Sequence, residues 1–142
     1  MTKWVIDASV AIKWFLAGEA DEMDTDKALL LLDFAVGGRV SFLQPPHWIG
    51  EVAGVLARRN PATAADNIED MLLFEFCTIA GHAHIYRRAI TLSQELNHHL
   101  FDTHYHAVAL EEEAMLITAD GHYYAKAAPF GGIAMLKDLA AP

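Results

Sequence analysis

Apolar positions along this chain fall into two alternating rhythms. Short continuous runs, at Lys3–Asp7 (KWVID), at 40–46 (VSFLQPP), at 76–81 (FCTIAG), at 114–120 (AMLITAD) and at 132–136 (GIAML), have the length and composition of strands covered on both faces. Between them lie longer stretches in which apolar residues recur at helical spacing. These predict helices over Ala8–Ala17, within 19–38 (EADEMDTDKALLLLDFAVGG), over 47–59 (HWIGEVAGVLARR), 61–76, 82–97 and 101–113, and a turn or short helix from His122 to Ala128. The 19–38 segment has acids in front, an apolar body and a Gly-Gly stop, the usual order of helix start and stop signals. Pro46 suits the first turn of the helix that follows it. Such alternation predicts one α/β domain over residues 1–142, with a mostly parallel five-stranded sheet between helical layers.

Composition narrows the class. A chain of 142 residues that is 54% hydrophobic can build a core and is not disordered. One cysteine, Cys77, excludes a disulfide framework and suits a core position. Asp7 and Lys13 interrupt the only apolar stretch near the N-terminus, and no run reaches the ~20 residues of a membrane span. A cytoplasmic protein without membrane contact is expected. The net charge of −9 argues against a protein that coats nucleic acid, yet leaves room for an enzyme that meets it through a bound cation.

Four acids then stand out. Asp7 and Asp120 each end a strand, where open α/β sheets place their ligands. Asp102 opens a helix, and Glu51, among Trp48, Val52 and Val55, borders the buried face of its helix. Each could be an ordinary cap or surface residue; three of them directly adjoin apolar core segments. Two unit charges 4 Å apart repel by about 4 kcal/mol at an effective dielectric near 20, so clustered carboxylates take up protons or hold a cation. Oxygen ligands favour Mg²⁺ or Mn²⁺, and the chemistry suggested is phosphodiester hydrolysis.

The segments VIDASVAIKWFL, PPHWIGEVAGVLARR and LFDTHYHAVALEEEAMLITAD, in this order, resemble the PIN domain as found in VapC toxins of bacterial toxin–antitoxin pairs. The resemblance implies a three-layer α/β/α sandwich and a Mg²⁺- or Mn²⁺-dependent endoribonuclease. Its partners would be an RNA substrate, a cognate antitoxin and a second copy in a homodimer. Matched position by position, the acids holding the metal are Asp7, Glu51, Asp102 and Asp120, with Ser9 and Thr118 as supporting hydroxyls. Gly54 stands where the family often has Asn or Ala. No acid follows Asp120 in the next segment, so one firmly held metal is expected, with a second only when substrate phosphate is present. Lys13, Arg58, Arg59 and His106 are candidates for substrate contact. His106, four residues beyond Asp102, is the favoured neighbour of the site, and the remaining histidines are expected at the surface or just behind it. No H-E-x-x-H or C-x-x-C spacing supports zinc. Two other readings are weighed: a catalytically silent PIN scaffold that binds protein, and an aspartate phosphotransfer domain, for which the required acidic pair is missing.

Overall fold

The structure is a computed structural model describing residues 2–142. Its strands are β1 (Thr2–Ile6), β2 (Val40–Gln44), β3 (Cys77–Ile79), β4 (Met115–Thr118) and β5 (Ile133–Met135). They form one sheet in the order β3-β2-β1-β4-β5, and every neighbouring pair is parallel. Val5, Ile6, Phe42, Leu116 and Ile117 are buried, which is why these strands read as continuous apolar runs rather than alternating ones.

The helices are α1 (Ala8–Ala11), α2 (Thr25–Val36), α3 (Trp48–Arg59), α4 (Ala64–Leu72), α5 (Ala83–Leu96), α6 (Leu100–Glu111) and α7 (Gly121–Ala127). Parallel strands require crossovers, and right-handed crossovers place α1–α4 on one face and α5–α7 on the other. The result is the expected α/β/α sandwich. The strand order reverses between β1 and β4, so a crevice opens beyond their C-terminal ends. Asp7 follows the first of these strands, and Asp120 lies just past the second.

Several element boundaries differ from the sequence expectation, each for a tertiary reason. The first helix stops at Ala11 and tightens into a 3-10 turn over Ile12–Trp14. There Trp14 Nε1 donates to Ala28 O at 3.0 Å, and its ring stacks on Phe42 at 5.9 Å between centroids. The expected 61–76 helix contracts to Ala64–Leu72, because Phe74 and Phe76 leave it to pack beside Trp14 and Phe42. Pro46 lies outside α3, in a turn closed by Trp48 N donating to Pro45 O at 3.3 Å. Asp102 does not open α6 but sits in its first turn, after Leu100. Cys77 is half-buried, and burial pushes its thiol up to about 12. Among the described residues no helix is long and apolar enough to cross a membrane.

Candidate metal centre and nuclease site

Asp7 is bound from both sides of the crevice. Its Oδ1 accepts from Ser9 N at 3.2 Å, capping α1, and its Oδ2 accepts from Thr118 Oγ1 at 2.7 Å. Thr118 Oγ1 in turn accepts from Asp120 N at 3.0 Å, while Ser9 Oγ accepts from Ala119 N at 3.2 Å. Asp120 caps α7 by accepting from Tyr123 N at 3.1 Å. These bonds tie the ends of β1 and β4 into one rigid edge. Behind them the buried Gln44 pairs with both backbone groups of Ile6, Oε1 accepting at 2.7 Å and Nε2 donating at 2.8 Å. That amide holds the end of β1 where its ladder with β2 has stopped, and so fixes where Asp7 stands.

Glu51 approaches from α3. Tyr105 Oη donates to its Oε1 at 2.6 Å, and His47 Nε2 lies 3.3 Å from the same oxygen. Burial by itself would raise the Glu51 carboxyl, but the bonds from His47 and Tyr105 and the His47 charge outweigh it and hold the group below its usual range. Tyr105 is driven the other way, by burial first and then by the Glu51 charge. Phe101 is 55% exposed and stacks on His47 at 4.5 Å, forming an aromatic rim. Glu51 and Asp102 line one hollow together with this rim.

The third cluster forms where α5 turns into α6. Asn97 ends α5 in the left-handed conformation, with φ 49°, a conformation Asn tolerates better than most residues. Ser93 Oγ donates to His98 O at 2.5 Å and so clamps the turn. His98 is thereby aimed at Asp102, with Nε2 2.7 Å from Oδ2. His98, Asp102 and Asp120 each offer a ligand atom, and these atoms lie within 4.8 Å of one another. They open onto a cleft of about 690 Å³.

The electrostatics follow from this convergence. Burial raises the Asp7 carboxyl to about 6; the bonds from Thr118 and Ser9 pull it down, and the charges of Asp102 and Glu51 push it further up. Among the described residues no Lys or Arg forms an ion pair with Asp7, Asp102 or Asp120. A half-buried acid that resists ionisation among other acids, with hard oxygen donors facing a cleft, is a donor set for a divalent cation.

The sequence matches the PIN domain family over residues 4–129. The chain belongs to the PIN-domain family. Solved structures with this PIN fold include a toxin–antitoxin complex from Klebsiella pneumoniae, 16% identical, with a TM-score of 0.66 over 95% of this chain and 98% of that one. Another is VapC20 of Mycobacterium tuberculosis, a sarcin-ricin loop cleaving toxin, 18% identical, with a TM-score of 0.64 over 86% of this chain and 93% of that one. A third is VapBC2 of Rickettsia felis bound to a DNA fragment from its promoter, 13% identical, with a TM-score of 0.65 over 94% of this chain and 98% of that one. No curated protein sequence matches significantly.

Within the PIN fold the residues expected from sequence fall into two groups. Asp7, Asp102 and Asp120, with Ser9 and Thr118, meet at the crevice, and Glu51 reaches it from α3. The expected cation contacts lie elsewhere. Lys13 is buried, its Nζ donating to Glu22 Oε2 at 2.8 Å and to Met23 O at 2.7 Å. Arg59 pairs with Asp21 and Glu22, and Arg58 donates to Gly54 O at 3.0 Å within its own helix. His106 does not flank Asp102. It is buried one layer behind, its ring nitrogens 2.9 Å from Tyr123 Oη and 2.7 Å from Gly131 O. His104 is likewise buried rather than superficial, and burial followed by the His47 charge lowers it to about 4.

His98 is the candidate ligand that sequence reasoning missed. Its spacing of four from Asp102 was a usable signal, but only on the side of the aspartate that precedes the expected start of the helix. The residues that fit a divalent cation are Asp102 and Asp120, with His98 beside them, Asp7 at the strand end and Glu51 across the hollow.

Proposed function

We propose that this protein is an endoribonuclease that hydrolyses RNA phosphodiester bonds with the aid of Mg²⁺ or Mn²⁺, acting as the toxin of a toxin–antitoxin pair. The observation that carries this reading is the gathering of Asp7, Asp102 and Asp120 at the switch point of the sheet without a Lys or Arg ion pair. A divalent ion bound there supplies charge neutralisation for the scissile phosphate and acidifies water. The chain's own part is positional. Thr118 and Ser9 fix both oxygens of Asp7, Tyr105 and His47 keep Glu51 ionised, and His98 orients Asp102. One of these carboxylates accepts the proton of the attacking water. The toxin role and the antitoxin partner rest on the toxin–antitoxin complexes that share this fold.

The test is Mg²⁺ and Mn²⁺ calorimetry on wild type and Asp7→Asn, followed by incubation with pooled structured RNAs. Metal binding and RNA cleavage, both lost in a folded Asp7→Asn protein, are the expected result. A wild type that binds no metal at millimolar concentration overturns the reading and leaves a PIN scaffold for protein contact.

A further inference from the structure

The positive side chain that should meet the substrate is absent from the places where sequence spacing put it. Lys13 and Arg59 are both engaged with Glu22, and Arg58 is bonded to its own helix. The cleft that holds Asp102 and Asp120 nevertheless has another wall, formed by the imidazoles of His98, His99 and His122 and the ammonium of Lys126. Lys126 is the Lys or Arg in that wall. It stands in the last turn of α7, the helix that Asp120 caps, so one short helix carries a candidate metal-site acid at its start and this ammonium near its end.

We propose that Lys126 is the RNA-binding cation of the cleft, anchoring a phosphodiester next to the one that is cut. Its half-buried side chain is held by two long bonds, Nζ donating to His98 Nδ1 at 3.2 Å and to Asn97 O at 3.4 Å. An ammonium has three donors, so at least one is left for an incoming oxygen. Accepting at Nδ1 leaves the His98 proton on Nε2, where it donates to Asp102 Oδ2 at 2.7 Å. Lys126 is thus tethered to the acidic cluster through one imidazole but forms no ion pair with it. It counters the repulsion that a net charge of −9 presents to RNA at the point where the backbone must enter. A cleft of about 690 Å³ falls within the range of small-ligand sites and admits a nucleotide.

This inference rests on the nuclease reading, and the experiment separates the two. Lys126→Ala and Lys126→Arg are compared with wild type by fluorescence anisotropy on a labelled mixed-sequence RNA, in EDTA to stop cleavage, across a salt series. Mn²⁺ calorimetry and melting curves accompany them. Expected for Lys126→Ala is about tenfold weaker RNA binding and a salt slope shallower by about 0.7, the loss of one phosphate contact on a single strand. Lys126→Arg should retain both, and the Mn²⁺ isotherms should superimpose. Unchanged RNA affinity and slope in Lys126→Ala overturn the proposal. So does a loss of RNA binding matched by an equal change in Mn²⁺ affinity or melting temperature, which would make Lys126 structural. A wild type that cuts RNA while Lys126→Ala binds it equally well sinks this inference alone. A wild type that neither holds Mn²⁺ nor binds RNA sinks both.

Discussion

Glu22 and Asp7 are both half-buried carboxylates, and the fold treats them in opposite ways. Burial would raise each. Around Glu22 the bonds and charges of Lys13 and Arg59 overcome it, and the carboxyl is held below its usual range. Around Asp7 the partners are a hydroxyl, an amide and other acids, and the carboxyl is pushed up to about 6. Glu22 is a finished ion-pair node that pins the 18–24 loop to the 3-10 turn and to α3. Asp7 is left electrically incomplete. Compensated charge marks where this fold is merely held together, and uncompensated charge marks where it expects a ligand.

The comparison breaks first on activity. Asp7→Asn and Asp120→Asn should lower RNA cleavage by roughly a thousandfold or more, on the order of 4 kcal/mol in the barrier. Single-turnover assays read this directly, and Glu22→Gln should retain near wild-type rates after correction for folded fraction. Stability should show the reverse. Glu22→Ala leaves the buried Lys13 ammonium without its carboxylate and should cost about 3 kcal/mol in chemical denaturation. Asp7→Asn should be neutral or stabilising at neutral pH, because it removes a charge whose burial costs no more than about 3 kcal/mol.

The pH dependence sharpens the contrast. For Asp7 the folded value, about 6, lies above the unfolded 3.8, so the folded state holds the proton more tightly. In metal-free protein its contribution therefore erodes stability as pH rises from about 4 through about 6. Glu22 is lowered on folding, so its contribution is present above its ordinary value of 4.5 and is lost as pH falls through the folded value. Melting temperatures across this range should lose the first slope in Asp7→Asn and the second in Glu22→Gln. Millimolar Mn²⁺ should flatten only the first. The smallest expected effect is that of Arg58→Ala. Its one bond runs along its own exposed helix surface, so stability should change by less than about 0.5 kcal/mol, with cleavage unaltered.

These two regions also differ in how far the sequence revealed them. Asp7 and Asp120 were legible because strand ends are legible. An apolar run that stops at an acid locates that acid at the edge of a sheet, and parallel topology brings such edges together. Lys13 and Arg59 misled because their partner sits in a loop without periodicity, and nothing local shows Glu22 folding back between them. Lys126 and His98 escaped for a related reason. Their meeting depends on the left-handed turn at Asn97 and on the angle of α7, both set by packing rather than by spacing. Gln44 was silent altogether, since a glutamine closing an apolar strand looks like any polar boundary residue until its amide is found bonded to the Ile6 backbone, past the end of the β1–β2 ladder.

The bond from Thr118 to Asp7 joins residues 111 positions apart. A growing chain that ends before Thr118 has synthesised Asp7, Glu51 and Asp102 but has no edge on which to assemble them. Pairing of β1 with β4 is the closure that makes the crevice, and it must wait for almost the whole chain. The site is therefore incomplete through most of synthesis and closes in one late step, so a chain cut short before β4 carries the acids without the crevice that gathers them.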